Sequence, residues 1–359
     1  MRVFVALLLL STLLSSCARQ ADHKYTLYVF GTLVELTLYG VSKEAGDQAV
    51  ALLTQGFQQR HKDWHAWESG KLGDLNTAIA NGVPHKIDKD MVALLDQARE
   101  FERMSRGLFN PAIGKLIAQW GFHSSDKPSG PPPGKELIKE LVKARPSMQD
   151  LNIEKGAVLS RNKAVQLDFG GFAKGVALDW AAQLLQRHGI QNAVLNAGGD
   201  LNTIGRHGSR AWRAGIRHPS HWGVIATVDL QPGEVIYTSG NYFRFKQHEG
   251  KRYSHIIDPR TGWPVDHIVS ASVIHKNGAL ADAAATALSV AGPKAWVETA
   301  RNMGLDQVLL VDKNGGLYMT PKMQQRLTLS EPKSKTIAIK DPFALGSLKN
   351  AIKAHGAAY

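Results

Sequence analysis

Apolar positions over residues 25–39 alternate around Leu27, Val29, Leu33, Val34, Leu36 and Leu38, with Gly31-Thr32 interrupting the run. That pattern predicts a strand pair or one bulged strand. The period then lengthens. Residues 43–65 predict a helix, and over 90–104 Met91, Leu94, Leu95, Ala98 and Phe101 recur on one helical face that stops before Gly107. Residues 124–134, rich in Ser, Pro and Gly, predict an exposed loop, and 135–143 a short helix. A strand is predicted over 165–168 and a tight turn at Gly170-Gly171. Phe172, Val176, Trp180 and Leu184, spaced by four, predict a helix that ends at Gly189. Residues 193–195 read as a strand leading into Asn196-Ala197-Gly198-Gly199-Asp200, a second glycine turn. Further strands follow over 212–216, 224–230, 234–238 and 270–275, then a helix over 279–291 ended by Gly292-Pro293. No internal repeat or heptad is present. The sum predicts an α+β protein of mixed β-sheets with flanking helices.

Arg2, an apolar run over residues 3–14, and Leu14-Ser15-Ser16-Cys17 stand in signal-peptide order. The run is shorter than the ~20 apolar residues a membrane span needs. Cys17, the single cysteine, sits where a lipoprotein signal places its lipidated residue. Residues 1–16 are therefore read as a signal peptide and 17–24 as a lipidated linker; a secreted protein with a stray leader cysteine is the plain alternative. Neither a disulfide nor a thiolate metal site can be built from one cysteine. A 43% hydrophobic content supports a globular domain, assigned to residues 25–329. The net charge of +12 suits anionic lipid or a phosphorylated ligand. Nucleic acid is set aside, because the basic residues are scattered and an exported lipoprotein rarely meets it. The tail, 330–359, carries Lys333, Lys335, Lys340, Lys349 and Lys353 against Glu331 and Asp341, which fits membrane or partner contact, although a solvated tail is the commoner explanation.

Three clusters can carry chemistry. Asp168 before Gly170-Gly171 and a helix start lets backbone groups approach an anion, with Lys174 adding a positive donor. A glycine turn chosen only for strand-to-helix packing explains these residues equally well. The string Ser254-His255-Ile256-Ile257-Asp258-Pro259 follows Thr238-Ser239-Gly240-Asn241-Tyr242. His255 could move a proton near neutral pH, whereas Asp258-Pro259-Arg260-Thr261-Gly262 reads as a structural turn. Asp282 and Thr286, four apart on one helical face among alanines, offer hard oxygen donors of the kind magnesium takes. Alone, they fit a helix-dipole aspartate and a backbone-bonded threonine better.

Taken together these residues resemble the FAD:protein FMN transferase family, the ApbE proteins, over residues 28–310. The motifs are Phe30-Gly31-Thr32, Phe109-Asn110-Pro111-Ala112-Ile113-Gly114 with Trp120-Gly121-Phe122, Asp168-Phe169-Gly170-Gly171-Phe172-Ala173-Lys174-Gly175, Gly198-Gly199-Asp200, the two strings around Ser239 and His255, and Ala281-Asp282 through Thr286-Ala287-Leu288. The resemblance implies an ApbE-like (T-fold-like) architecture. It implies FAD contacts from Phe30, Trp67, Leu108, Phe109, Asn110, Asp168, Lys174 and Ile257, and magnesium held by the Gly171 carbonyl, Asp282 and Thr286. His255 would act as general base or orienting donor. The implied reaction attaches FMN from FAD to a threonine of a partner protein and releases AMP. FAD hydrolysis by the same site, and flavin holding without turnover, are the alternatives. Three departures from the family stand out: Phe30 where it usually has Met, Asn110 where it usually has Asp, and Ala285 where some members have an acidic residue. The implied acceptor is a subunit of a membrane electron-transfer complex, which favours the periplasmic face of the inner membrane. Ala18 after Cys17 is not the aspartate that commonly retains lipoproteins there, so the outer membrane stays open.

Overall fold

A computed structural model describes residues 21–124, 128–242, 244–330 and 336–344; the leader, Cys17 and the end of the basic tail lie outside them. The interrupted apolar run is a hairpin, β1 (Asp22–Val29) and β2 (Thr32–Tyr39), with Val29 paired to Thr32. Its two-residue turn puts Phe30 at φ 54° and Gly31 at φ 68°, the positive angles that match strand twist. For Phe30 the left-handed conformation costs roughly 1–2 kcal/mol, an expense glycine at the same place would avoid.

Five α-helices and a small sheet follow. Ser42 caps α1 (Lys43–Trp64) and Asp88 caps α3 (Lys89–Met104), each side chain accepting a first-turn backbone N–H. Between them lie α2 (Lys71–Asn81) and β3 (His85–Lys86), followed after α3 by α4 (Gly114–Gln119) and α5 (Lys135–Lys143). Strand β3 pairs with β5 (Ala157–Ser160), and β5 with β4 (Leu151–Glu154).

The predicted strand over 165–168 is a correction: only Gln166 bridges, in parallel, to Ile113. Its backbone is satisfied irregularly, Gln166 and Asp168 N–H donating to Ala112 and Pro111 carbonyls and Leu167 N–H to the Asn76 side chain. Extended apolar residues thus found non-sheet partners. Helix α6 (Ala173–Arg187) then starts one residue after the Gly171-Phe172 turn.

The second half builds β6 (Ala193–Ala197), β7 (Asp200–Ile204), β8 (Trp212–Arg217), β9 (Val224–Leu230), β10 (Val235–Gly240), β11 (Phe245–His248), β12 (Lys251–Ser254) and β13 (Ile268–His275). Then come α7 (Gly278–Asn302), β14 (Val308–Asp312), β15 (Leu317–Met319), α8 (Pro321–Arg326), β16 (Thr328–Leu329) and β17 (Thr336–Ile339). The predicted break in α7 is present: Gly292 sits at φ 67°, before Pro293, and the helix resumes beyond it.

One nine-stranded sheet in the order β1-β2-β6-β7-β10-β13-β14-β15-β17 organises the chain. Its pairs are antiparallel except β15–β17, so the mixed, α+β expectation holds. Alternation along β10 and β13 explains its two covered faces. Val235, Tyr237, Ala271 and Val273 face the main core, where α6 and α7 pack. Ile236 and Ile274 join a second core under the sheet β16-β9-β8. A third cluster around Trp120, Ile138 and Ile257 anchors the segment after β12.

Candidate active site

The site starts where α6 crosses α7. A Cβ on Gly175 would lie 2.3 Å from the Gly278 carbonyl oxygen, so the two backbones approach as only glycine permits. Residues 281–290 of α7 are buried except Thr286, which shares a face with Asp282 one turn away. Asp282 accepts the Gly175 N–H at 3.1 Å and the Lys174 ammonium at 3.2 Å. The Gly175 amide is thereby turned from the Gly171 carbonyl, its usual helical acceptor four residues back. A Cβ on Gly171 would lie 3.6 Å from Thr286 Oγ1, so the glycine turn and the late helix do meet. Ser239, on β10, bonds Thr286 Oγ1 at 3.2 Å.

Lys174 also bonds Asp200 at 2.5 Å. Asp200 opens β7 after the Gly198-Gly199 turn, which is a two-residue hairpin joining Ala197 to Asp200, and its other oxygen accepts the Thr238 N–H at 3.0 Å. Burial works against the ammonium, but the Asp200 and Asp282 carboxylates outweigh it and hold its pKa well up. Burial pushes the Asp282 carboxyl up, Asp200 adds to this, and Lys174 and the Gly175 N–H pull it back. With both carboxylates ionised, the pair around one ammonium carries a net negative charge.

This donor set fits a hard cation. Asp282 supplies one carboxylate, Thr286 a hydroxyl and Gly171 a backbone carbonyl, all oxygens. Among the described residues no three His, Cys, Asp or Glu side chains gather into a metal cage. Magnesium does not require one, since it keeps waters and takes substrate phosphate oxygens. Ala285, the third departure, is fully buried in the main core and offers no ligand oxygen.

His255 follows β12 directly. The β11–β12 hairpin pairs Phe245 with Ser254, which places His255 beside Arg244: its N–H donates to the Arg244 carbonyl at 3.2 Å and its Nδ1 lies 3.0 Å from the same oxygen. A carbonyl can only accept, so Nδ1 carries the proton and Nε2 the lone pair. Burial, with the Arg244 and Lys174 charges, lowers the imidazole pKa to about 4 against the Arg244 backbone bond. The Arg244 guanidinium is tied to the Phe122 and Ser124 carbonyls. Trp120, buried against Tyr253 and Trp263, donates its indole N–H to the Gly262 carbonyl at 2.9 Å and fixes the following turn. Asp258 and Arg260 pair within that turn, the structural part expected there.

The remaining predicted residues make mostly apolar contacts of their own. Trp67 Nε1 donates to Asp168 Oδ2 at 3.1 Å, and the Gly170 N–H to Oδ1 at 2.8 Å. Phe30 stacks on Trp64 at 6.5 Å and meets Phe57 and His61 edge-on. Leu108, Phe109 and Ile257 are buried, with Phe109 against Phe172. Asn110 is used at both ends of its amide, donating to the Pro146 carbonyl and accepting the Ala112 N–H. The sequence alone assigns no role to Asp200, Ser239 or Arg244. The first two lie in quoted motifs, but the bonds that bring them here join residues 26 and 47 apart.

Fold and site together define a class: an α+β protein whose helix crossing gathers oxygen donors and an ammonium. The chain belongs to the ApbE family, whose profile matches residues 30–309. It is 47% identical over 310 residues to the FAD:protein FMN transferase of Rhodobacter capsulatus, covering 86% of this chain and 59% of that protein. It is 32% identical over 298 residues to the FAD:protein FMN transferase of Treponema pallidum, covering 77% and 80%. The crystal structure of the ApbE protein of Thermotoga maritima superposes with a TM-score of 0.77 at 26% identity, over 85% of this chain and 99% of that one. The flavin transferase ApbE of Vibrio cholerae, at 22% identity and a TM-score of 0.75 over 86% and 99%, shares the fold.

Proposed function

We propose that this chain is a magnesium-dependent FAD:protein FMN transferase that joins FMN through a phosphoester to a threonine of a partner protein and releases AMP. The observation that carries this reading is the meeting of Gly171, Lys174, Asp282 and Thr286 at one helix crossing. The names of the relatives support it.

In this reading FAD places its diphosphate at the crossing, with Phe30, Trp67, Leu108, Phe109, Asn110, Asp168 and Ile257 around its rings and sugars. Asp282, Thr286 and the Gly171 carbonyl would hold magnesium, which would supply positive charge to offset that of the diphosphate. Lys174 adds a fixed positive charge beside the phosphate oxygens, where charge builds in the transition state. His255 Nε2 takes the proton of the threonine hydroxyl as its oxygen bonds the FMN-side phosphorus. The bond from that phosphorus to the bridging oxygen breaks, and AMP leaves with that oxygen. A bound diphosphate raises the basicity of the depressed imidazole by its negative charge. Cys17 carries the lipid anchor, and the acceptor is a subunit of an electron-transfer complex on the periplasmic face of the inner membrane.

The test is incubation of the protein with FAD, magnesium and a threonine-containing acceptor peptide, followed by mass spectrometry. The expected result is a gain of one FMN on the peptide with release of AMP. Free FMN with the peptide unmodified would make water the acceptor, and intact bound FAD without AMP would make the chain a flavin holder.

A further inference from the structure

Asp179, one turn along α6 from Gly175, is a half-buried carboxylate, and desolvation raises its pKa against three donors. Its Oδ2 accepts the Gly278 and Ala279 N–H groups at 2.8 and 3.1 Å, the first amides of α7. Its Oδ1 accepts the Asn202 side-chain N–H at 2.8 Å, and Asn202 Oδ1 accepts the Tyr237 hydroxyl at 2.7 Å. One side chain therefore ties α6, the start of α7 and β7, with β10 joined through Tyr237. These same elements carry Lys174, Asp282, Asp200 and Ser239. The fit is close, since a Cβ on Gly278 would lie 2.6 Å from Asp179 Oδ1 and 2.9 Å from the Tyr237 hydroxyl. Asn277 caps α7 independently through the Leu280 N–H, so Asp179 is not needed merely to begin the helix.

We infer that Asp179 is a positioning residue: by clamping the first turn of α7 onto α6 it sets the register at which Asp282 meets Gly175 and Lys174. Asp282 lies one turn beyond the clamped amides, so sliding or rotating α7 moves its carboxylate directly. The consequence for magnesium rests on the proposed reading of Asp282 as a ligand; the register itself does not.

Two readouts on the full chain separate these claims. The first is hydrogen exchange at the Gly175 amide, which is bonded to Asp282 Oδ2 and does not bond Asp179. The second is magnesium affinity by titration calorimetry, well below the unfolding temperature. Asp179→Ala is expected to speed Gly175 exchange by about tenfold or more and to weaken magnesium binding by a similar factor. Asp179→Asn keeps an acceptor oxygen but loses the charge, and is expected to speed the same exchange by about threefold; it decides the question if the alanine variant does not fold. Unchanged Gly175 exchange in either folded variant overturns the inference. If the parent chain takes up no magnesium, the metal reading fails while the exchange result still decides the role of Asp179. Faster Gly175 exchange with unaltered magnesium affinity reduces Asp179 to a structural clamp and overturns its role at the site.

Discussion

The helix crossing and the aromatic contacts around Phe30 and Trp67 are built on opposite plans. At the crossing, Lys174, Asp200, Asp282, Ser239 and Thr286 bond one another, so its charges are held in place before any ligand arrives. Around Phe30, Trp67 and residues 108–110, each polar side chain is paired and rings pack on rings. The first arrangement suits charge stabilisation, which needs fixed dipoles; the second suits a flat apolar ligand, which needs shape. Changes at the crossing should therefore act on chemistry and on charge balance, and changes in the aromatic group on fit and stability.

The largest expected effect is at His255. His255→Ala should keep FAD binding and lose about 10²–10⁴-fold in transfer rate, measured by single-turnover release of AMP; unchanged turnover removes His255 from the mechanism. Lys174→Ala comes next, because it leaves Asp200 and Asp282 facing each other without their ammonium. Breaking a buried ion pair on one side costs about 3–5 kcal/mol, and a denaturant titration showing under 1 kcal/mol would deny that the crossing is charge-coupled. His255→Ala also has a pH signature. The imidazole pKa falls from 6.5 unfolded to about 4 folded, so the unfolded chain binds the extra proton between those values. Parent stability relative to the variant should decline as pH falls from about 6.5 to about 4. The comparison with the variant is needed because Glu102, raised by burial to about 7, stabilises the fold in the opposite direction as pH drops. The smallest effect belongs to the aromatic side: Asn110→Ala removes two local hydrogen bonds and should cost about 1–2 kcal/mol of stability with a modest loss of FAD affinity. A larger loss of transfer than of stability would move Asn110 to the chemical half.

Long periodic elements were legible from sequence, and so was the i, i+4 pair on α7. The helix over 90–104 and the break at Gly292-Pro293 follow from period and from backbone chemistry that needs no partner. Short elements were not. Helix α2 and strands β3 to β5 went unread because two to four residues, or one weakly periodic stretch, carry too little pattern. Residues 165–168 have a strand's composition, but a strand needs a neighbour, and theirs is a loop at Ile113. The same logic holds in the site. Lys174, His255, Asp282 and Thr286 stand in motifs, whereas Arg244 and Asp179 matter through bonds to a hairpin partner and to residues about 100 positions away. Only the folded sheet order brings those together.

The central claim is that a divalent cation and the diphosphate of FAD meet at the α6–α7 crossing. The most direct measurement is a crystal structure with FAD and manganese in place of magnesium, the cation located by its anomalous scattering. The account predicts one peak within bonding distance of Asp282, Thr286, the Gly171 carbonyl and a diphosphate oxygen. A peak elsewhere, with FAD bound and the crossing holding only Lys174, would contradict it.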